Sequence, residues 1–186
     1  MAIEEGQVIS FLQNPDNFVN LQDHGAADER DQWLDWKFDQ ATTTDGEYTI
    51  GLGTDVGGLA MCYRRDLFEQ AGLPTDRDAV GALWPTWEDY IAVGQQFQAG
   101  VGDTGPSFVD PATNTYNSVL MQEAGNGPGY TYFDEDGALV FESNPAVAAA
   151  WDTAVAMDAA GLSAELKSFS TEWNAGFQSG AFATIA

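Results

Sequence analysis

Four residue groupings along the chain have the types that chemistry would require. Asp134-Glu135-Asp136-Gly137 packs three acids into four positions, and hard cations such as calcium take several oxygen ligands at once. A calcium loop would need further acids at alternating positions and a closing Glu, whereas Ala138, Leu139 and Val140 follow, so the segment reads as a hairpin turn. Gly51-Leu52-Gly53, followed by Gly57-Gly58, has the glycine content of a phosphate cradle. Its spacing is wrong, however, no Lys-Ser or Lys-Thr follows, and a strand rather than a helix is expected next. These glycines suit a hinge better, because glycine absorbs dihedral change cheaply. The sole histidine, His24, lies in a polar Asp23-His24-Gly25 turn with no serine elbow nearby, which gives no basis for a nucleophilic triad. Carboxylate pairs of the kind used in glycoside hydrolysis carry no specificity here, since among 29 acids some pair falls at a suitable separation by chance.

Aromatic residues are the more informative set. Six Trp, six Tyr and eleven Phe are present, several on expected loops or helix starts. Apolar sugar faces stack on such rings while Asp, Asn and Gln take hydroxyls, so this mixture suits a carbohydrate cleft, although most of the rings must serve the core.

Composition narrows the field. With 186 residues and 44% hydrophobic content the chain can bury a sizeable core without disulfides. Twenty-nine acids against six Lys and Arg give a formal net charge of −23, which repels phosphate backbones and anionic membrane surfaces and fits a solvated acidic surface in a salty or cell-exterior setting. The apolar residues form no run of membrane length. A lone cysteine, Cys62, excludes an internal disulfide and a Cys-rich zinc site, and its neighbours Met61 and Tyr63 suggest a buried strand. The opening Met1-Ala2-Ile3-Glu4-Glu5 is not a signal peptide, leaving export, if any, encoded upstream.

The elements that must position these residues are coarsely legible. A helix with a broad aromatic face is expected over 28–39, strands over 48–53 and 59–63, and a short helix over 67–71 capped by Asp66 and stopped by Gly72. Thr86 should cap a helix running to Ala99 and ended by Gly100; 100–115 reads as loop and 116–124 as helix. A hairpin is expected over 130–141. Pro145 opens the most secure helix, with Val147, Trp151, Val155 and Met157 on or near its core face and Gly161 past its end. Ser170 or Thr171 caps a last helix through Phe177, and Phe182 onward is a strand.

The segment Gly53-Thr54-Asp55-Val56-Gly57-Gly58-Leu59-Ala60-Met61-Cys62-Tyr63-Arg64-Arg65-Asp66-Leu67-Phe68-Glu69-Gln70-Ala71-Gly72-Leu73-Pro74 resembles the family 1 extracellular solute-binding proteins of ABC sugar importers. Pro85-Thr86-Trp87-Glu88-Asp89, Gln122-Glu123-Ala124-Gly125, the turn between Phe133 and Gly137, Ser143-Asn144-Pro145-Ala146-Val147 and Phe177-Gln178-Ser179-Gly180-Ala181-Phe182-Ala183 follow in that family's order. The Gly-x-Trp usual after the last strand is missing.

The resemblance implies an α/β, periplasmic-binding-protein-like type II two-lobe fold, here mostly the second lobe with the tail of the first. It places 1–56 in the first lobe with its crossing strand, 57–181 in the second, and 182–186 at the start of a strand returning to the first. It implies capture of a sugar by hinge closure, permease subunits of an importer as partners, and an extracellular or periplasmic site with a lipoprotein anchor. It implies no catalysis, cofactor, metal, nucleic acid or membrane insertion. Carried over by position, Asp55, Gly57, Tyr116, Asn117, Trp173 and Asn174 are the expected ligand contacts. A fragment of a carbohydrate-active enzyme and an acidic protein-interaction domain are the competing readings.

Overall fold

In the computed structural model the chain divides into two units, Met1–Gly58 and Leu59–Ala186; every residue except Glu135 is described. The first unit is built from short pieces: α1 (Val8–Leu12), α2 (Asp35–Asp39) and 3-10 turns, the longest of them Ala26–Gln32. The single helix expected over 28–39 is therefore broken. Trp33 adopts an extended backbone, and its indole N–H donates to the Gly53 carbonyl at 2.8 Å, an attachment that continuous helix would not allow. Arg30 spans the break, pairing with Asp39 at 2.7 Å and with Asp35 at 3.2 Å. The strand expected over 48–53 is reduced to one bridge between Thr42 and Thr49. Side chains and loops satisfy its backbone instead: Thr49 N–H donates to Asn20 Oδ1, Ile50 N–H donates to the Ala41 carbonyl, and the Thr49 carbonyl accepts from Leu21 N–H.

The second unit is a three-stranded sheet wrapped by helices. Its elements run β1 (Cys62–Tyr63), α3 (Arg65–Gln70), α4 (Arg77–Gly81), α5 (Trp87–Val101), β2 (Ser107–Val109), α6 (Ala112–Asn126), α7 (Pro145–Ala159), α8 (Thr171–Ser179) and β3 (Phe182–Ile185). The sheet order is β1-β3-β2, with β1 antiparallel and β2 parallel to β3. Phe182–Ile185, expected to begin a return to the first lobe, is here the central strand of this unit.

Punctuation accounts for most of the helix ends. The Thr86 hydroxyl accepts from Asp89 N–H at 3.1 Å, and Asn144 and Ser170 cap α7 and α8 likewise. Gly161 and Gly180 turn the chain out at φ +67° and +73°, where a side chain would clash with the backbone. α5 passes through Gly100 to Val101 and ends at Gly102, whose φ is +75°. Asp66 does not cap α3: it lies in the first turn and binds the Arg64 guanidinium, while Arg64 holds the flanking position. Cys62 is exposed rather than buried, because β1 is an edge strand. The expected hairpin survives as a Phe133–Leu139 bridge, with Asp134 Oδ1 accepting from the N–H groups of Asp136 and Ala138. Glu135 of that turn lies outside the described residues.

The core lies against the sheet, where Phe68, Tyr90, Phe97 and Phe108 interlock with Val80, Met157 and Leu162, all at most 1% exposed. Each such apolar side chain contributes about 1.5–3 kcal/mol on burial. A second cluster joins α6 to α7, with Ala146 and Ala150 seated against Val119, Leu120 and Ala124. The small alanines turn this face of α7 inward, which reverses part of the expected pattern. Met157 is buried, but Trp151 and Val155 are 64% and 48% exposed.

Candidate functional site

At the carboxyl end of β2 the chain enters Asp110-Pro111, and proline, unable to continue a ladder, ends the strand there. Asp110 N–H still donates to the Thr184 carbonyl on β3, so the residue is fixed to the sheet edge. Its carboxylate is fully buried. Oδ2 accepts from Asn114 Nδ2 at 2.5 Å and from the Trp173 indole N–H at 3.1 Å, whereas Oδ1 has no partner among the described residues. Burial pushes the Asp110 carboxyl above the usual carboxylate range, and the bonds from Asn114 and Trp173 oppose that rise.

One side chain thus ties together the end of β2, the first turn of α6 and the first turn of α8. Asn114 extends the network, its Oδ1 accepting from the Ser168 hydroxyl at 2.8 Å. On the neighbouring strand the Thr184 hydroxyl donates to the Phe108 carbonyl at 2.6 Å and also meets the Tyr90 hydroxyl. Burial raises the Tyr90 hydroxyl's pKa, keeping it neutral. In α/β folds, the crevice outside the carboxyl ends of the strands is where ligands bind.

Further along α6 the second unit presents aromatic and amide groups. Tyr116 and Tyr132 pair through their hydroxyls at 2.8 Å, and Tyr116 is pushed up to about 12 by burial and by that contact. A cleft of about 190 Å³ is lined by Leu59, Met61, Trp87, Ser118 and Gln122, where the Trp87 indole N–H donates to Gln122 Oε1 at 2.7 Å. Aromatic faces beside amides and hydroxyls can hold a polyol with apolar ring faces. Among the described residues no group of His, Cys, Asp and Glu is arranged to hold a metal ion, and no helix is long and apolar enough to cross a membrane.

The six residues singled out from sequence occupy different settings. Tyr116 is half-buried and Asn117 exposed, in the second turn of α6. Asn174 is exposed on α8, its amide donating to the Ser170 carbonyl at 2.9 Å. Trp173 is only 8% exposed, so its ring packs and its N–H serves Asp110. In the first unit Asp55 is exposed, with Oδ1 accepting from Val56 N–H at 2.8 Å, and it borders a cavity of about 450 Å³ that Lys37, Gln40 and Thr54 also line. Gly57 is exposed, and a Cβ there would meet nothing within 4 Å. Asp110, Asn114, Ser168, Tyr132 and Thr184 were not recognised in the sequence. The only local signal was the Asp-Pro pair before a helix, inside a stretch read as loop.

Three comparisons bear on this geometry. The profile of the bacterial extracellular solute-binding proteins matches residues 2–186. The lactose-binding protein of Rhizobium radiobacter is 29% identical over 155 residues, spanning 82% of this chain and 33% of that protein. A crystal structure of an extracellular solute-binding protein of family 1 aligns over 98% of this chain with a TM-score of 0.74 and 39% identity. The chain covers 44% of that structure and about a third of the lactose-binding protein.

Proposed function

The chain belongs to the bacterial extracellular solute-binding protein family, and from that premise we propose that it serves as the substrate-binding component of an ABC importer, taking a sugar or oligosaccharide. The observation that carries this reading is the edge of the second unit's sheet, where a buried Asp110 ties α6, which carries Tyr116 and Asn117, to α8, which carries Asn174. The lactose-binding relative supports a sugar as the class of ligand.

In this reading 1–56 come from the first lobe and 57–181 are most of the second, with β3 counted in the second by its pairing. Gly57, Tyr116, Asn117 and Asn174 contact ligand from the second lobe, Asp55 from the first, and Trp173 contributes by holding the site in place. Ligand favours a closed form through contacts that the open form lacks, and permease subunits then recognise the closed form. Micromolar capture corresponds to about −8 kcal/mol, within reach of a few stacked rings and a hydroxyl network. No covalent step is involved. The protein works outside the cytoplasmic membrane, held there by a lipoprotein anchor.

A thermal-shift screen of the full-length protein tests the reading, using mono- and oligosaccharides with lactose among them, and amino acids and polyamines as controls. A melting temperature that rises and saturates with one sugar class supports it. No response to any sugar from folded, ligand-free protein sinks it.

A further inference from the structure

Phe169 is 82% exposed, an unusual setting for a ring of that size, and its backbone lies in the left-handed region at φ +63°, which disfavours any L-residue with a side chain. Both neighbours are tied down. The Ser168 hydroxyl donates to Asn114 Oδ1 at 2.8 Å, and Ser170 donates its N–H to the Lys167 carbonyl while its hydroxyl caps α8 at Trp173 N–H. The ring itself rests on Trp173, with centroids 5.2 Å apart and planes at 51°. Trp173 in turn meets Phe177 edge-on at 4.6 Å, and Phe177 meets Phe182 on the central strand edge-on at 5.0 Å. The row runs from buried Phe182 through the partly exposed Phe177 and the buried Trp173 to Phe169, the most exposed ring of the four.

We propose, resting on the sugar-binding reading above, that Phe169 is the ring on which a pyranose face stacks in the second unit, and that Trp173 and Asp110 are positioning residues beneath it. Trp173 is too deeply packed to offer a face to ligand, whereas Phe169 offers most of its surface. Its borders are polar, with Lys167 and Asn174 exposed in the same turn and helix start. That combination of an apolar face with hydroxyl-binding groups at its rim fits a sugar. A glycine at 169 would relax the backbone, so a side chain held there at a conformational cost points to use of the ring itself.

The test compares F169G, F169Y and the wild type in the full-length protein, with lactose, maltose and cellobiose as probes, by calorimetric titration, melting temperature and solution mass. F169G is expected to melt no lower than wild type, because glycine suits this backbone, yet to bind the responding disaccharide at least about tenfold more weakly, with F169Y restoring affinity. Unchanged affinity in F169G overturns the proposal while leaving the sugar reading intact. Loss of self-association with unchanged affinity also overturns it, assigning the ring to a second copy. Failure of the wild type to bind any of the three disaccharides overturns the proposal, and the sugar reading falls with it only if the wider screen of mono- and oligosaccharides is also flat.

Discussion

The indole nitrogen of Trp173 donates to Oδ2 of Asp110 across 3.1 Å in a buried setting, fastening the last helix to the end of β2. Replacing Trp173 by Phe keeps a ring but leaves that carboxylate oxygen with Asn114 alone. Hydrogen bonds to charged groups contribute about 1.5–3 kcal/mol, so W173F is expected to lose stability of that order in urea unfolding. A double-mutant cycle with D110N should show a coupling of about 0.5–3 kcal/mol; strictly additive losses would mean that the bond contributes nothing.

Asp110 should also shape the pH dependence. Its folded-state pKa is raised above the ordinary 3.8 by burial, so the folded chain holds the proton more tightly than the unfolded one. The stabilisation from the protonated form is present below 3.8 and is lost as pH rises from there through the raised value. The D110N variant lacks this loss. Its stability relative to wild type should climb over that window and then level off, as read from unfolding curves at stepped pH. Asp39 and Asp66, held low by Arg30 and Arg64, act in the opposite sense in both proteins and cancel in the difference.

Two glycines separate packing from propensity. A Cβ on Gly94 in α5 would lie 2.6 Å from Phe108 and 2.7 Å from Leu162, both fully buried, so G94A should cost about 1–3 kcal/mol through overpacking. Gly81 in α4 has open space around it, and G81A should be neutral or stabilise by up to about 1 kcal/mol. Melting temperatures of the two variants moving in the same direction would contradict this packing of α5 on the sheet.

Charge predicts a response to salt. A formal charge of −23 destabilises a compact state by self-repulsion, which ions screen over about 10 Å at 0.1 M. The urea midpoint should therefore rise with sodium chloride, most steeply at low concentration. A midpoint independent of salt would show that the acids are too well dispersed to repel.

Much of the second unit was legible because its signals are local. Thr86, Asn144-Pro145 and Ser170 mark helix starts by satisfying N–H groups within three residues of themselves, and the structure has helices at all three. The strands were less accessible. Ser107–Val109 lies in a stretch rich in Gly, Pro and Asp and is a strand through its pairing with β3, some 75 residues away in sequence. Trp151 and Val155 misled for a related reason: an apolar residue on a helix reads as core, but the α6 contact selected the alanine face of α7 instead.

The candidate site divides along the same line. The order of motifs carried the resemblance to the family, and composition set the acidic excess and the aromatic supply, since these depend on which residues are present and in what sequence. Only the tertiary structure determined which ring is buried and which is displayed. The exposure of Trp173 and Phe169 is set by Asp110 and Asn114, more than 50 residues away in the chain, whose buried hydrogen bonds fix α8 and the turn before it against the sheet. A bond of that kind exists only once the strands have brought its partners together, so no spacing within the sequence records it.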